Sequence, residues 1–339
     1  MNRSALVAYA GNSIARGSRS FALASRLFDR PTRERAWLLY AWCRACDDMA
    51  DGQDHGGTLS AAVADRQPGL GHMREKTQAA LDGRVTGDPA FDSLGVVTAE
   101  TCLPHRYVHD VLDGFALDAA GWRPQTAGDL MRYCYHVAGA VGCMMAVVMG
   151  TRAGDSALLD RACDLGLAFQ LANIARDLRE DAEGGRCYVP ADWLAEAALT
   201  PETMTQPQGR QAMAAIARRL AGLVASYEES ARFGTSALPF RSAWAVLAAA
   251  GIYGNIARET VRLGPAAWDR RVVISRGAKL GWVALAGFQA LARASRWPAS
   301  SPRDPGLWRR PAETDPRAVP GDPLRPPTGL PAPAPAPEA

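Results

Sequence analysis

The chain has 339 residues, 48% of them hydrophobic, enough for one large core or two. Its formal net charge of +3 is too small for nucleic-acid binding by bulk electrostatics. Seven cysteines make an odd count scattered through helical stretches, and no long apolar secretory segment opens the chain, so reduced thiols and a cytoplasmic location are expected.

Apolar residues recur at helical spacing and Val/Ile/Thr alternation is scarce, which predicts an all-α fold. In chain order the spacing predicts helices over 4–26, 32–51, 72–83, 89–101, 105–119, 127–149, 155–181, 209–232, 240–262 and 277–295. Pro and Gly punctuate the gaps at Pro31, Gly56-Gly57, Pro89, Pro104, Gly184-Gly185, Pro201, Pro239 and Gly264-Pro265. No repeat period appears. No glycine-rich phosphate loop follows a strand, so a nucleotide fold has no support.

Two of these helices carry the chemistry. Helix 32–51 ends in Asp47-x-x-x-Asp51, and helix 155–181 ends in Asp177-x-x-x-Asp181. Tyr40, Arg44, Asp47 and Asp51 fall within roughly 60° on a helical wheel, with Asp48 at the edge. Gln170, Asn173, Asp177 and Asp181 fall within roughly 80° in the same way. Carboxylates four apart repel by about 0.2–0.5 kcal/mol, so two such pairs amid apolar residues imply a cation between them. An isolated pair of this kind is usually a solvated face. Here each polar stripe is narrow and flanked by apolar residues, which places it on a cavity wall. Mg²⁺, or Mn²⁺, suits such oxygen ligands and completes its shell with phosphate. Arg44 and Arg176 lie beside the pairs, either as intrahelical ion partners or as phosphate forks.

The weaker signals have plain readings. Cys43-Arg-Ala-Cys46 has no second pair and reads as packing. His136 reads as a core histidine, and Ala138-Gly139-Ala140 with Gly142 as close helix packing that also leaves room for a chain. Phe21, Tyr40, Trp42 and Tyr253 read as core, with cation–π stabilisation the alternative. The uncharged stretch 133–151 is strongly apolar only from Val137 to Gly150, short for a membrane span. From Pro298 onward lie 13 of the 23 prolines, so 1–297 is expected to be the helical domain and 298–339 an extended, passive tail.

The runs Tyr40-Ala-Trp-Cys-Arg44 with Asp47-Asp-Met-Ala-Asp51, and Gln170-Leu-Ala-Asn173-Ile-Ala-Arg176-Asp177-Leu-Arg-Glu-Asp181 followed by Gly185-Arg-Cys-Tyr-Val-Pro190, resemble the two aspartate motifs of the squalene/phytoene synthases. Gly17-Ser-Arg-Ser-Phe21, Tyr133-Cys-Tyr-His-Val-Ala-Gly139, the run 159–170 and Arg241-Ser-Ala-Trp244 match further segments, and the resemblance covers about residues 4–310, closest to the bacterial phytoene synthases. It implies an isoprenoid synthase fold with a central cavity. It implies head-to-head joining of two geranylgeranyl diphosphates through prephytoene diphosphate, without a nicotinamide.

Asp47, Asp51, Asn173, Asp177 and Asp181 become the implied metal ligands, the four aspartates being catalytic. Ser18, Ser20, Tyr40, Arg44, Tyr133, Gln170, Asn173, Arg176, Tyr188, Tyr253 and, in a looser register beside Arg270, Arg271 become substrate contacts. Position 17 is Gly where some relatives carry His. No obligate protein partner is implied, and the lipophilic product leaves peripheral membrane association open. Rival readings are a squalene or dehydrosqualene synthase using farnesyl diphosphate, a terpene cyclase, and a non-catalytic assembly factor. The intact aspartates oppose the last.

Overall fold

Local chemistry sets where each helix starts. In the computed structural model, which describes residues 1–51 and 66–311 and the backbone alone at 19, 20, 51 and 66–68, Asn2 caps α1 (Arg3–Gly17) and Ser18 caps α2 (Arg19–Ser25). Pro31 stands in the first turn of α3 (Arg30–Asp51), and α4 spans Arg66–Leu81. Asp88 caps α5 (Pro89–Thr101), with proline at its first position. α6 runs His105–Ala119. A reciprocal Thr126–Asp129 capping box opens α7 (Ala127–Cys134), satisfying two backbone donors at once. A π-helical turn, Tyr135–Gly139, joins α7 to α8 (Ala140–Val148). Asp155 caps α9 (Ser156–Glu183), and the short α10 (Ala191–Glu196) and α11 (Pro201–Met204) follow. Then come α12 (Arg210–Gly234), α13 (Phe240–Leu263), α14 (Arg276–Leu291) and α15 (Arg293–Arg296). No strand occurs among the described residues.

Several expectations change, and the helix expected over 72–83 spans Arg66–Leu81. The predicted helix 4–26 breaks at Ser18, whose extended backbone lets its hydroxyl accept from Phe21 N–H. The predicted helix 127–149 is continuous in direction but carries the π turn. The segments 191–196 and 201–204 are too short to show a period. The helical stretch Ala127–Val148, long and apolar enough to cross a membrane by length and composition, is mostly buried in the body.

Helix α9 is central. Leu159, Leu167, Leu171, Ile174 and Leu178 are buried along it, against α12, α8 and α13. Each large apolar side chain so buried contributes roughly 1.5–3 kcal/mol. Helix α3 packs chiefly on α1 and α5, with Trp42 wholly buried and donating to Thr77 Oγ1. The backbones of the π turn and α8 lie almost on α9. A Cβ at Gly166 would stand 2.2 Å from Ala138 O, and one at Gly142 would stand 2.3 Å from Ala162 O. All seven cysteines are free thiols, and Cys46 is buried in the core.

Composition puts the edge of the body at 297, yet residues 298–311 run over it. Arg303 forks onto buried Asp164 at 2.7 and 2.9 Å, Arg161 donates to Ser301 O at 2.8 Å, and Trp308 N–H donates to Tyr227 Oη at 3.0 Å. Arg310 pairs with Asp160 at 2.6 Å. A Pro-rich extended chain cannot form a core, but here side chains of the body bind it and Leu307 is buried. Residues 312–339 lie outside the described residues.

Candidate active site

The mouth of the central cavity holds about 990 Å³ and draws its walls from α2, α3, α6, α7, α9, α13 and the 271–279 segment. Of the residues expected at the site, Ser18, Tyr40, Arg44, Asp47, Tyr133, Gln170, Asn173, Arg176, Asp177, Asp181, Tyr188, Tyr253 and Arg271 all line it. The side chains of Ser20 and Asp51 lie outside the described residues. Arg271, the looser assignment, is on the wall, where it reaches Asp177 at 3.2 Å and Glu180 at 2.7 Å.

Both flanking arginines form ion pairs. Arg44 bonds Asp47 at 2.8 Å and also Asp48, leaving its Nε buried without a hydrogen-bond partner. Arg176 forks onto Asp177 at 2.8 and 2.5 Å. Asp47 is 47% exposed at its side chain and Asp48 only 13%, so the first stripe turns its edge residue further inward than expected. Asp177 and Asp181 are better enclosed, at 15% and 16%.

Burial pushes Asp181 up to about 7, only partly opposed by Arg186 at 3.7 Å and reinforced by Asp177, Glu180 and Asp118. This crowding of carboxylates suits a divalent cation. The unpartnered Arg44 Nε suits an incoming anionic oxygen. Among the described residues, the closest cluster of metal-type donors is elsewhere, at Asp110, Asp113 and His136. There Tyr135 donates to Asp110, Arg74 to Asp113, and His136 Nδ1 sits 2.9 Å from Asp110 O. That geometry fits the core reading of His136.

Sequence reasoning missed Asp118, Arg186 and Lys279, all on the wall. Asp118 accepts from Tyr133 Oη at 3.1 Å and Tyr188 Oη at 2.9 Å, and the two rings stack at 4.7 Å. Its signal was a lone aspartate near the end of an apolar helix, too common a pattern to single out. Burial and Asp118 hold the Tyr133 hydroxyl well above its usual range, so it stays protonated as a donor.

Beneath the mouth runs an apolar tunnel of about 360 Å³. Phe21, Tyr40, Tyr253, Val137, Val141, Gln170 and Asn173 line both spaces, which makes them continuous. Phe169 stacks on Tyr253 at 4.1 Å, and Phe21 leans on Tyr253 at 5.5 Å and on Tyr40 at 6.4 Å. Three of the four aromatics read as core therefore ring the neck, while Trp42 is true core. Arg161 is the one charged side chain among the described lining residues. Ser230 and the Ser301 carbonyl draw its guanidinium aside. Met145 lines the tunnel, whereas Met144 is packed in the core.

An all-helical body with an acidic, arginine-rich mouth over a dry tunnel is an isoprenoid synthase arrangement. The family model described as squalene/phytoene synthase matches residues 14–278, and the chain belongs to that family. It is 45% identical over 313 residues to a phytoene synthase of Pseudescherichia vulneris, covering 92% of this chain and 100% of the relative. It is 48% identical over 299 residues to a 15-cis-phytoene synthase of Enterobacter agglomerans, covering 87% and 99%. A solved dehydrosqualene synthase in complex with ligand superposes with a TM-score of 0.77 at 25% identity, over 86% of this chain and 98% of that one. The squalene synthase HpnC from Alicyclobacillus acidocaldarius shares the fold, with a TM-score of 0.67 at 23% identity over 77% and 95%.

Proposed function

We propose that this enzyme joins two geranylgeranyl diphosphates head to head, through the cyclopropylcarbinyl species prephytoene diphosphate, releasing phytoene and two diphosphates. It is a prenyltransferase of the phytoene synthase kind. The observation that carries the reading is the neck, where a mouth rich in arginine and aspartate meets an apolar tunnel across Phe21, Tyr40 and Tyr253.

Asp47, Asp51, Asn173, Asp177 and Asp181 would hold Mg²⁺, or Mn²⁺, which when bound neutralises the charge that develops on departing diphosphate. Arg44, Arg176 and Arg271 exchange aspartate partners for phosphate oxygens. Asp118 orients the Tyr133 and Tyr188 hydroxyls toward the same space. Ser18, Ser20, Tyr40, Gln170 and Tyr253 position the prenyl chains. The allylic cation arises at the neck, where aromatic faces favour positive charge, and the second substrate's double bond captures it. The cyclopropylcarbinyl diphosphate then ionises and rearranges, and proton loss ends the sequence. The dry lining of Val137, Val141, Met145 and Phe169 keeps water from ending it early.

Product analysis tests this. With geranylgeranyl diphosphate, Mg²⁺ and no nicotinamide, the expected hydrocarbon is phytoene, and exhaustive chelation abolishes it. A thirty-carbon hydrocarbon from farnesyl diphosphate, with geranylgeranyl diphosphate ignored, overturns the chain length and leaves head-to-head joining intact.

A further inference from the structure

The apolar tunnel runs down to a charged residue. Along α9 its lining passes from Asp177 and Asn173 at the mouth through Phe169 to Arg161. The twelve residues from Asn173 to Arg161 span about 18 Å on a helix. Helix α13 descends beside it, from Ile256 and Tyr253 at the mouth to Ala245 in the tunnel. At the deep end α12 supplies Gly234, where a Cβ would stand 2.8 Å from Arg161 Cβ, so the two elements meet closely there. A cation on a dry wall is costly unless its donors are used. Arg161 is 8% exposed, and its guanidinium donates to Ser230 Oγ at 2.7 Å and to Ser301 O at 2.8 Å, over the Phe233 ring at 5.3 Å. Ser301 belongs to the 298–311 segment, which Arg303 fastens to Asp164, and Ser230 Oγ donates to the same carboxylate at 2.5 Å. The charge is thus bound behind the wall, and the aliphatic stem is left to the tunnel.

We propose that the stem of Arg161 is the floor of this tunnel and sets the longest prenyl chain the enzyme accepts. The inference deepens the proposed reaction and rests on it for the nature of the substrate. With its diphosphate at the aspartates, a prenyl chain has one dry direction to run, and along α9 that direction leads to Arg161. The C-terminal segment acts at a distance from the chemistry: by holding the guanidinium through Ser301 O, it keeps the charge off the chain's far end. A purely structural role differs in its consequence. If Arg161 only pins the segment, variants that lose its hydrogen bonds do equal harm, and none of them changes which chain is preferred.

The test is competition among farnesyl, geranylgeranyl and geranylfarnesyl diphosphates, of fifteen, twenty and twenty-five carbons, on the full-length enzyme. Arg161→Ala should raise kcat/KM for the twenty-five-carbon substrate over the twenty-carbon one by at least about tenfold relative to wild type, chiefly through KM. Arg161→Met loses the same hydrogen bonds but keeps most of the stem, and its ratio should stay within about threefold of wild type. A folded Arg161→Ala with an unchanged ratio, or an Arg161→Met that shifts it as far, overturns the proposal. Should Arg161→Ala misfold, the wild-type enzyme decides. A geranylgeranyl thiolodiphosphate, whose C–S bond resists ionisation, with a diazirine at its far end should on irradiation label residues 158–161 or 231–235. Label confined to other residues overturns the floor. Wild-type enzyme that ignores geranylgeranyl diphosphate and joins farnesyl units sinks the proposed chain length instead. In that case a shift by Arg161→Ala from fifteen toward twenty carbons still supports the floor, and no shift overturns it.

Discussion

Burial makes Asp181 a basic carboxylate, and that gives a handle on the cation site. Its folded value of about 7 lies above the usual carboxyl range, so folding favours its protonated form. The sign follows: between about pH 4 and 7 the native state holds the extra proton, and this group's contribution to stability falls as pH rises through that window. A cation displaces the proton, so the melting gain from Mg²⁺ with diphosphate should be larger at pH 8 than at pH 6, as thermal shift would show. Asp181→Asn should raise the melting temperature at pH 8 and change it little at pH 5. Asp177→Asn differs, because Asp177 is paired with Arg176 and Arg271. It should cut turnover by at least about a hundredfold, roughly 2.7 kcal/mol, while the protein stays folded. Turnover within about threefold of wild type would remove Asp177 from the machinery. At the same scale, a Cβ at Gly17 would stand 2.3 Å from the Tyr40 hydroxyl, which lines the mouth, so a larger residue there needs the Tyr40 side chain to shift.

At the scale of elements, the spacing of the cavity wall depends on two glycines where α8 and the π turn press on α9. Gly166→Ala puts a methyl into the Ala138 carbonyl, and neither backbone can give way without moving a helix. Overpacking of this kind costs about 1–3 kcal/mol, so the melting temperature should drop by several degrees. A drop of less than one degree would show that the helices slide freely. The helices themselves were legible because a 3.6-residue period survives in the apolar pattern. The break at Ser18 and the π turn at 135–139 were not, since a cap and one widened turn leave that pattern almost intact. Both matter to the site. The first puts Ser18 on the wall beside Tyr40, and the second lies between wall residue Tyr133 and the tunnel lining of Val141 and Met145.

At the scale of the whole molecule, the C-terminal segment divides into a bound part and a remainder. Arg303→Ala would leave Asp164, which is 0% exposed, without its fork partner, and removing one partner of a buried pair costs about 3–5 kcal/mol. A clear fall in melting temperature is expected. Deleting 312–339 should leave melting and turnover nearly unchanged, because that stretch has no helical period and little apolar surface to bury. A fall of several degrees on deletion would mean that it docks. Composition could not separate these two parts, since both are rich in proline; Arg303, Leu307 and Trp308 become anchors only where Asp164 and Tyr227 wait for them. By itself the sequence determined the all-helical class, the two aspartate stripes and the family, because periodicity and short motifs are local. Only the tertiary structure decided that Asp118 joins Tyr133 and Tyr188, that Asp47 stands more open than Asp48, and that aromatics from α2, α3, α9 and α13 close one neck. Those facts depend on residues far apart in the chain meeting across a cavity, and no local pattern records the distance between them.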